Sequence, residues 1–363
     1  MARKLRIYAH GDNTGVSYYR INNPAHWIKK LDLAEVRTTE YRWGEESEKF
    51  HWPTHEELCD IGHWADIIVF LRSDKAENIA TFCGMGELFN MPIVLETDDD
   101  ITAVRPYNPG YRGYHPNSEA LLWGKLVPKK VDAITVTTNR LKELHKTDCK
   151  EIYILPNSLD LKWRDSFKRK EHKDGKIHLG WFGSGTHFEN LKMIEQPVAE
   201  IIKKYSNVMF HCMGMYGNSL WNNLPKDQIK KWDWSTLRKY PKMLAEMNLD
   251  IGLAPAMDNN FHRAKSNLRY LEMGATETAV IASPTECYKG IKGLYAKEKH
   301  EWFEQMEKLI LDEKLRKKLG VEARKDVEKN FDIEKNAIQW VKTYEKIVKN
   351  FADKHGQKRY YYS

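Results

Sequence analysis

Strand-sized apolar runs, each followed by a helical pattern, recur along this chain in two separate sets, and that alternation leaves few folds open. In the first set Leu5–Ala9, Ala65–Leu71, Met91–Glu96, Ala133–Thr137 and Glu151–Leu155 read as strands. In the second Ile177–Phe182, Val208–Cys212, Leu249–Leu253 and Ala279–Ala282 do. Strands alternating with helices predict parallel sheets covered on both faces, an α/β protein. Between the sets lies Arg164-Asp-Ser-Phe-Lys-Arg-Lys-Glu-His-Lys-Asp-Gly175, strongly charged and with little to bury. The expected organisation is therefore a first domain over 1–165, a second over 175–332 and a closing segment over 333–363. In that last segment Ile333, Ala337, Trp340, Val341, Tyr344 and Ile347 form an apolar stripe near period 3.6.

Composition narrows the class. Hydrophobic content of 41% with 30% charged residues describes a globular chain, and 363 residues suffice for two cores. Ile67–Leu71 and similar runs fall far short of the roughly 18 residues that span a bilayer, and the N-terminus lacks a secretory pattern. No stable membrane insertion is expected. Five widely spaced cysteines without a Cys-x-x-Cys pair fit free thiols in a reducing compartment, hence a cytoplasmic protein (host cytoplasm if virus-encoded). A net charge of +7 favours anionic partners without choosing among nucleotide diphosphates, nucleic acid and lipid.

Two places concentrate chemistry. After the strand 177–182 comes Gly183-Ser184-Gly185-Thr186-His187, opening a helix with Phe188, Leu191 and Ile194. A tight glycine turn at a helix start offers free N–H groups and a positive dipole end to a phosphate. A plain structural turn is the competing reading. It is not a dinucleotide fingerprint, because Phe188 occupies the third glycine position, which counts against a nicotinamide oxidoreductase. In the second place Leu249–Leu253 runs into Ala254-Pro255, and then Arg263 and Lys265 precede Ser266, a good N-cap for a helix from Asn267. Two cations beside a helix N-terminus can stabilise a departing nucleoside diphosphate. Glu272, one to two turns on, can accept both hydroxyls of a ribose. A surface helix with scattered charges is the alternative.

The blocks Asp250–Pro255, Phe261–Ala275 and Ala279–Ser283, with Gly180–His187 and Leu155–Asp160, resemble the retaining GT-B glycosyltransferases of the large family four. Leu95–Asp100 and Val16–Pro24 carry the resemblance more faintly. It implies two Rossmann-like domains facing across a cleft, with a C-terminal helix returning to the first domain. It implies a nucleotide-sugar donor, a UDP-sugar first, and no obligatory metal or other cofactor. Carried over by position, Lys265 and the amides near Asn267 and Leu268 hold the diphosphate, Gly183, Ser184, Gly185 and Thr186 lie beneath it, and Glu272 holds the ribose. Transfer then retains configuration, the leaving diphosphate taking the acceptor's proton. One departure stands out: the family often has a second glutamate eight positions before Glu272, and Ala264 is there instead.

In the first half Asp98, Asp99 and Asp100 follow a buried strand at its carboxyl end, where ligands of α/β folds gather. Three carboxylates can bind a metal, orient the acceptor or stabilise positive charge on the sugar; the resemblance implies no catalytic metal, which leaves the last two roles, with Asp99 as the choice, and a turn-capping role competes. Gly15, Tyr19 and Arg20 are expected on the acceptor side. His51, His55, Cys59 and His63 look like metal ligands, but Pro53 interrupts a helix there and the motif is not His-Glu-x-x-His. No metal is expected.

The acceptor is open between classes. The basic linker 164–176, the tail Lys358-Arg-Tyr-Tyr-Tyr362 and Trp221, Trp232 and Trp234 favour DNA with hydroxymethylated or hydroxylated bases, as in virus-encoded base-modifying transferases. A cell-surface glycan or lipid-linked sugar is the alternative. A non-catalytic sugar-nucleotide- or DNA-binding protein is the reading from another class, against which Lys265, Ser266 and Glu272 stand together.

Overall fold

A computed structural model describes residues 3–12, 14–39, 52–72, 76–167, 169, 172–214 and 224–358. Two six-stranded sheets, all parallel, organise the chain. The first holds β1 (Arg6–His10), β2 (Glu35–Thr38), β3 (Ile67–Leu71), β4 (Ile93–Thr97), β5 (Ala133–Val136) and β6 (Ile152–Ile154) in the order β2-β1-β3-β4-β5-β6. The second holds β7 (Ile177–Gly183), β8 (Val208–Gly214), β9 (Ile229–Trp232), β10 (Ile251–Ala254), β11 (Ala279–Ala282) and β12 (Gly293–Tyr295) in the order β12-β11-β10-β7-β8-β9. This is the two-domain α/β arrangement expected from the alternation of strands and helices.

Burial explains why the central strands are apolar throughout. Every residue of β3 and β4 is buried, because helices cover both faces of a parallel sheet. On the first sheet Trp27 and Ile28 fill one side and Phe82, Phe89 and Leu141 the other. On the second sheet Trp302, Met306 and Ile194 oppose Tyr270, Leu271 and Met247.

The helix Ile333–His355 lays Trp340, Val341, Tyr344 and Ile347 against Trp27 and Ile28, on the first sheet. It begins where the chain crosses between the sheets: Leu159 N–H donates to Phe331 O at 2.7 Å, and Ile333 N–H to Leu159 O at 3.0 Å. The two halves also exchange core residues. Tyr18 and Tyr19 pack in a cluster of the second half, and Ala264 in one of the first.

Candidate active site

Between the sheets, at the carboxyl ends of β1, β4, β7 and β10, lies a cavity of about 550 Å³. Its walls bring together Gly15, Tyr19, Asp98 and Asp99 from the first half with Gly183, Ser184, Lys265, Ser266, Leu268 and Glu272 from the second. Segments more than 160 positions apart thus meet where doubly wound folds place ligands.

Lys265 reaches across the cleft. Its Nζ lies 2.9 and 3.1 Å from the two carboxylate oxygens of Asp99, and 4.4 Å from the centre of the Phe261 ring. Burial alone would raise Asp99; Lys265 and Arg72 outweigh it and hold the carboxyl below its usual range. Asp98 is the opposite case. Burial first, then the charge of Asp99, lifts it, and among the described residues its Oδ1 has no hydrogen-bond partner, Arg72 Nη2 lying 3.7 Å away. Asp100 stands apart: its Oδ1 accepts from Thr102 N–H at 3.0 Å and Oγ1 at 2.6 Å, capping the turn Ile101–Ala103. The capping reading therefore describes Asp100 and not its two neighbours.

Glu272 sits in the short helix Leu268–Gly274 and is already engaged. Tyr19 Oη donates to its Oε1 at 2.5 Å, Arg164 Nη2 lies 3.1 Å from the same oxygen, and Tyr240 Oη donates to Oε2 at 2.9 Å. Three of the roughly four acceptor positions of this carboxylate are thus taken, so a ribose offering both hydroxyls would have to displace one of these donors.

Several expected residues face elsewhere. Arg263 points outward and grips Asp258 at 2.6 Å, since the helix Asn260–Ala264 turns Phe261, His262 and Ala264 inward and leaves position 263 to solvent. Gly185 and Thr186 turn to the first half's loop, where Asn108 Nδ2 donates to Thr186 O at 3.2 Å. Ser266 does not cap the helix. Its Oγ accepts from Asn157 Nδ2 at 2.8 Å, and Asn267 takes the N-cap position without a side-chain bond. Arg20 lies behind the cleft, fully buried, with Nε 2.9 Å from Glu96 Oε1 and its guanidinium over Trp340. The π-turn Tyr18–Asn22 sends Tyr19 to Glu272 and Arg20 the other way, to Glu96.

Three of the linker and tail cations serve the fold. Arg164 holds Glu272, Arg169 holds Asn248 and the carbonyls of Leu249 and Thr276, and Lys358 donates to His63 O at 2.8 Å, ahead of β3 and so at the end of the sheet away from the cleft. Trp232 packs on His211, while Trp234 lines the cleft and is 64% exposed. Residues 359–362 of the tail, Trp221 and His51 lie outside the described residues. Thr54 and Glu57 form a capping box that starts a helix at His55, after Pro53, and His55 Nε2 lies 3.8 Å from Cys59 Sγ. Among the described residues no group of three or more His, Cys, Asp or Glu is arranged to hold a metal ion, and no helix is long and apolar enough to cross a membrane. None of the five cysteines forms a disulfide with another described residue.

His187, the last residue of the glycine turn, also lines the cavity, as do Asn190, Arg269 and Tyr240, none of which was assigned a role from its residue pattern. Arg269 donates through Nε to Phe182 O at 3.0 Å and extends beside Gly183, where a Cβ would come within 3.0 Å of its Nη2. Glycine at 183 thus leaves room for that guanidinium.

No protein-family model and no curated protein matches the chain in sequence. Solved structures do match it in fold. The sucrose-phosphate synthase of Thermosynechococcus elongatus superposes with a TM-score of 0.67 at 13% identity, covering 96% of this chain and 100% of that one. HepE of Anabaena, in complex with UDP and glucose, gives 0.64 at 10% identity over 94% and 100%. An alpha-glucosyltransferase in complex with UDP and a 13-mer DNA containing an HMU base gives 0.61 at 12% identity over 94% and 100%. Likeness at this identity establishes the fold, GT-B with two Rossmann-like domains across a cleft. Function has to be argued from the site.

Proposed function

We propose that this chain is a glycosyltransferase that moves a sugar from a UDP-sugar to an acceptor hydroxyl with retention of configuration. The observation that carries the reading is Lys265. It lines the cleft opposite the turn of Gly183 and Ser184, and its ammonium is matched by a carboxylate of the facing domain. In this reading the donor diphosphate displaces Asp99 from Lys265. The acceptor oxygen then bonds to the anomeric carbon as the bond from that carbon to the phosphate oxygen breaks. Its electron pair goes to the diphosphate, which takes the acceptor's proton, and Lys265 stabilises the charge. Asp99, still beside Arg72, is free to orient the acceptor hydroxyl or to stabilise positive charge on the sugar. Bound UDP in HepE and in the alpha-glucosyltransferase, both of this fold, supports a UDP-sugar.

For the acceptor we propose a hydroxymethylated or hydroxylated base in DNA. The neighbour of this fold bound to HMU-containing DNA supports it. So does the segment 101–118, which leaves Asp98–Asp100 and reaches the turn at Thr186. It contains no acidic residue and exposes Arg105, Tyr107 and Arg112, with Glu189 of the second half facing Arg105 and Tyr107. Cations interleaved with rings suit a nucleic-acid strand. A base within a duplex has to be flipped out to reach a cavity between the two sheets.

The test is to incubate the protein with hydroxymethylated DNA and a set of UDP-sugars, digest the DNA and weigh its nucleosides. A gain of one hexose or pentose is expected. UDP release without a mass gain would move the acceptor to a glycan or lipid-linked sugar, and neither product would leave a binding protein.

A further inference from the structure

A chain of hydrogen bonds in the cleft wall fixes one ring proton, and its ends are backbone amides that can only donate. Met257 N–H donates to Asn190 Oδ1 at 3.1 Å, so the amide group of Asn190 has one orientation. Its Nδ2 then faces both His262 Nε2 at 3.0 Å and His187 Nδ1 at 3.1 Å, one proton for each, and both ring nitrogens must accept. The far end agrees: His262 N–H donates to Asn259 Oδ1, so that oxygen also accepts from His262 Nδ1, at 3.0 Å. His262 is therefore protonated on Nδ1 and His187 on Nε2. Asn190 and His262 are 1% and 4% exposed, so water cannot easily substitute in the chain.

His187 Nε2 has no hydrogen-bond partner among the described residues, and the ring lines the cleft beside Ser184, Lys265 and Arg269. Burial, then the charges of Arg269 and Lys265, hold this imidazole well below its usual range, and His262 is pushed down to about 4 by burial and the same two cations. A neutral N–H between two cations calls for an oxygen with negative charge. We infer that His187 is a locked Nε2–H donor to the diphosphate of the sugar nucleotide, with Asn190 as the positioning residue that sets its tautomer, an inference that rests on the donor reading above. His187 binds here and does not exchange protons with the substrate.

Full-length protein labelled with ¹⁵N-histidine tests this by long-range ¹H–¹⁵N correlation, the His187 signals being assigned by their loss in His187→Gln. The expected spectrum shows the Nε2–H tautomer at pH 8, and added UDP moves those signals while uridine does not. UDP affinity should fall about tenfold in His187→Ala and stay within about threefold in His187→Gln, whose amide still donates. Asn190→Asp presents only acceptors, so at pH 8 it draws the ring proton to Nδ1, turns a lone pair toward the cleft and weakens UDP as much as His187→Ala does. An Nδ1–H tautomer in the wild type, or UDP that binds without moving His187, overturns the inference alone. UDP that does not bind at all overturns the donor reading and the inference with it.

Discussion

Lys265 and Glu272 are both charged residues of the cleft wall, yet their removal should be felt in different measurements. The Lys265–Asp99 pair keeps each side chain 20% exposed, so screening limits what it contributes to the fold, about 1 kcal/mol or less. Its proposed role in transfer is larger, because a fixed cation acts on charge that appears only as the glycosidic bond breaks. Lys265→Ala is expected to lower kcat by about 10²–10³-fold and to leave the denaturation curve nearly unchanged. Wild-type turnover in that variant would refute the assignment. For Glu272 the balance reverses. Glu272→Ala strands the buried Arg164 guanidinium without its carboxylate, a loss of about 3–5 kcal/mol that urea denaturation without nucleotide should record. Lys265 and Glu272 were legible because each belongs to a local pattern around one helix. His187, Asn190 and His262 were not, since Asn190 and His262 touch across 72 positions of sequence and only the folded sheet brings them together.

Elements divide in the same way. Strands buried on both faces were read within two residues of their ends, as Ala279–Ala282 shows. The three unread strands, β2, β9 and β12, all lie at sheet edges, where no apolar run is required. β2 alternates exposed Glu35 and Arg37 with buried Val36, and β9 carries Lys230 and Lys231 outward. Where β7 meets β8 there is a titration to measure. Trp232 Nε1–H donates to His211 Nδ1 at 3.0 Å, His211 Nε2–H to His178 Nδ1 at 2.7 Å, and His178 Nε2–H to Asp174 at 3.2 Å. That order requires neutral rings. Burial and then His178 push His211 down to about 3, and burial and then His172 lower His178. Folded values below the unfolded one mean that this stability is complete above about pH 6.5 and is lost as pH falls toward 3. Each proton taken up only by the unfolded chain costs about 1.4 kcal/mol per pH unit, so stability should fall steeply from pH 6.5 to 4. His211→Gln should flatten the curve; an unchanged slope would show that other groups dominate. Gly320 offers a test of sign. Alanine inside a helix normally gains about 1 kcal/mol over glycine. In the helix Glu313–Asn330, however, a Cβ at 320 would lie 2.1 Å from the backbone oxygen of Glu277. Gly320→Ala should therefore destabilise by about 1–3 kcal/mol in chemical denaturation, and a gain would mean that the turn at 277 yields.

At the scale of the whole molecule, the charge of +7 could be counted in the sequence but not located, and location decides what it attracts. The cations of the linker and tail looked available for nucleic acid. In the fold Arg164 and Arg169 hold the second half together, and Lys358, its ammonium lowered to about 8 by burial, is tied to carbonyls ahead of β3. The segment 101–118 instead reaches the turn at Thr186, next to the cavity-lining Ser184 and His187, and carries no acidic residue. The proposed DNA acceptor therefore makes a quantitative demand on two residues. Each phosphate neutralised by a cation steepens the dependence of log K on log salt by about 0.9 for duplex DNA. Arg105→Ala with Arg112→Ala should lower the slope by about 1.8, measured by fluorescence anisotropy of hydroxymethylated duplex over a salt series. UDP affinity should stay as it is, because neither residue lines the cavity. A double variant of the linker, Lys173→Ala with Lys176→Ala, should leave the slope unchanged, since these cations lie where the chain enters β7, at the end of the sheet away from the cleft. If the linker pair changed the slope and the cleft pair did not, DNA would bind the opposite face of the second domain, and its bases could not reach Asp99 and Lys265.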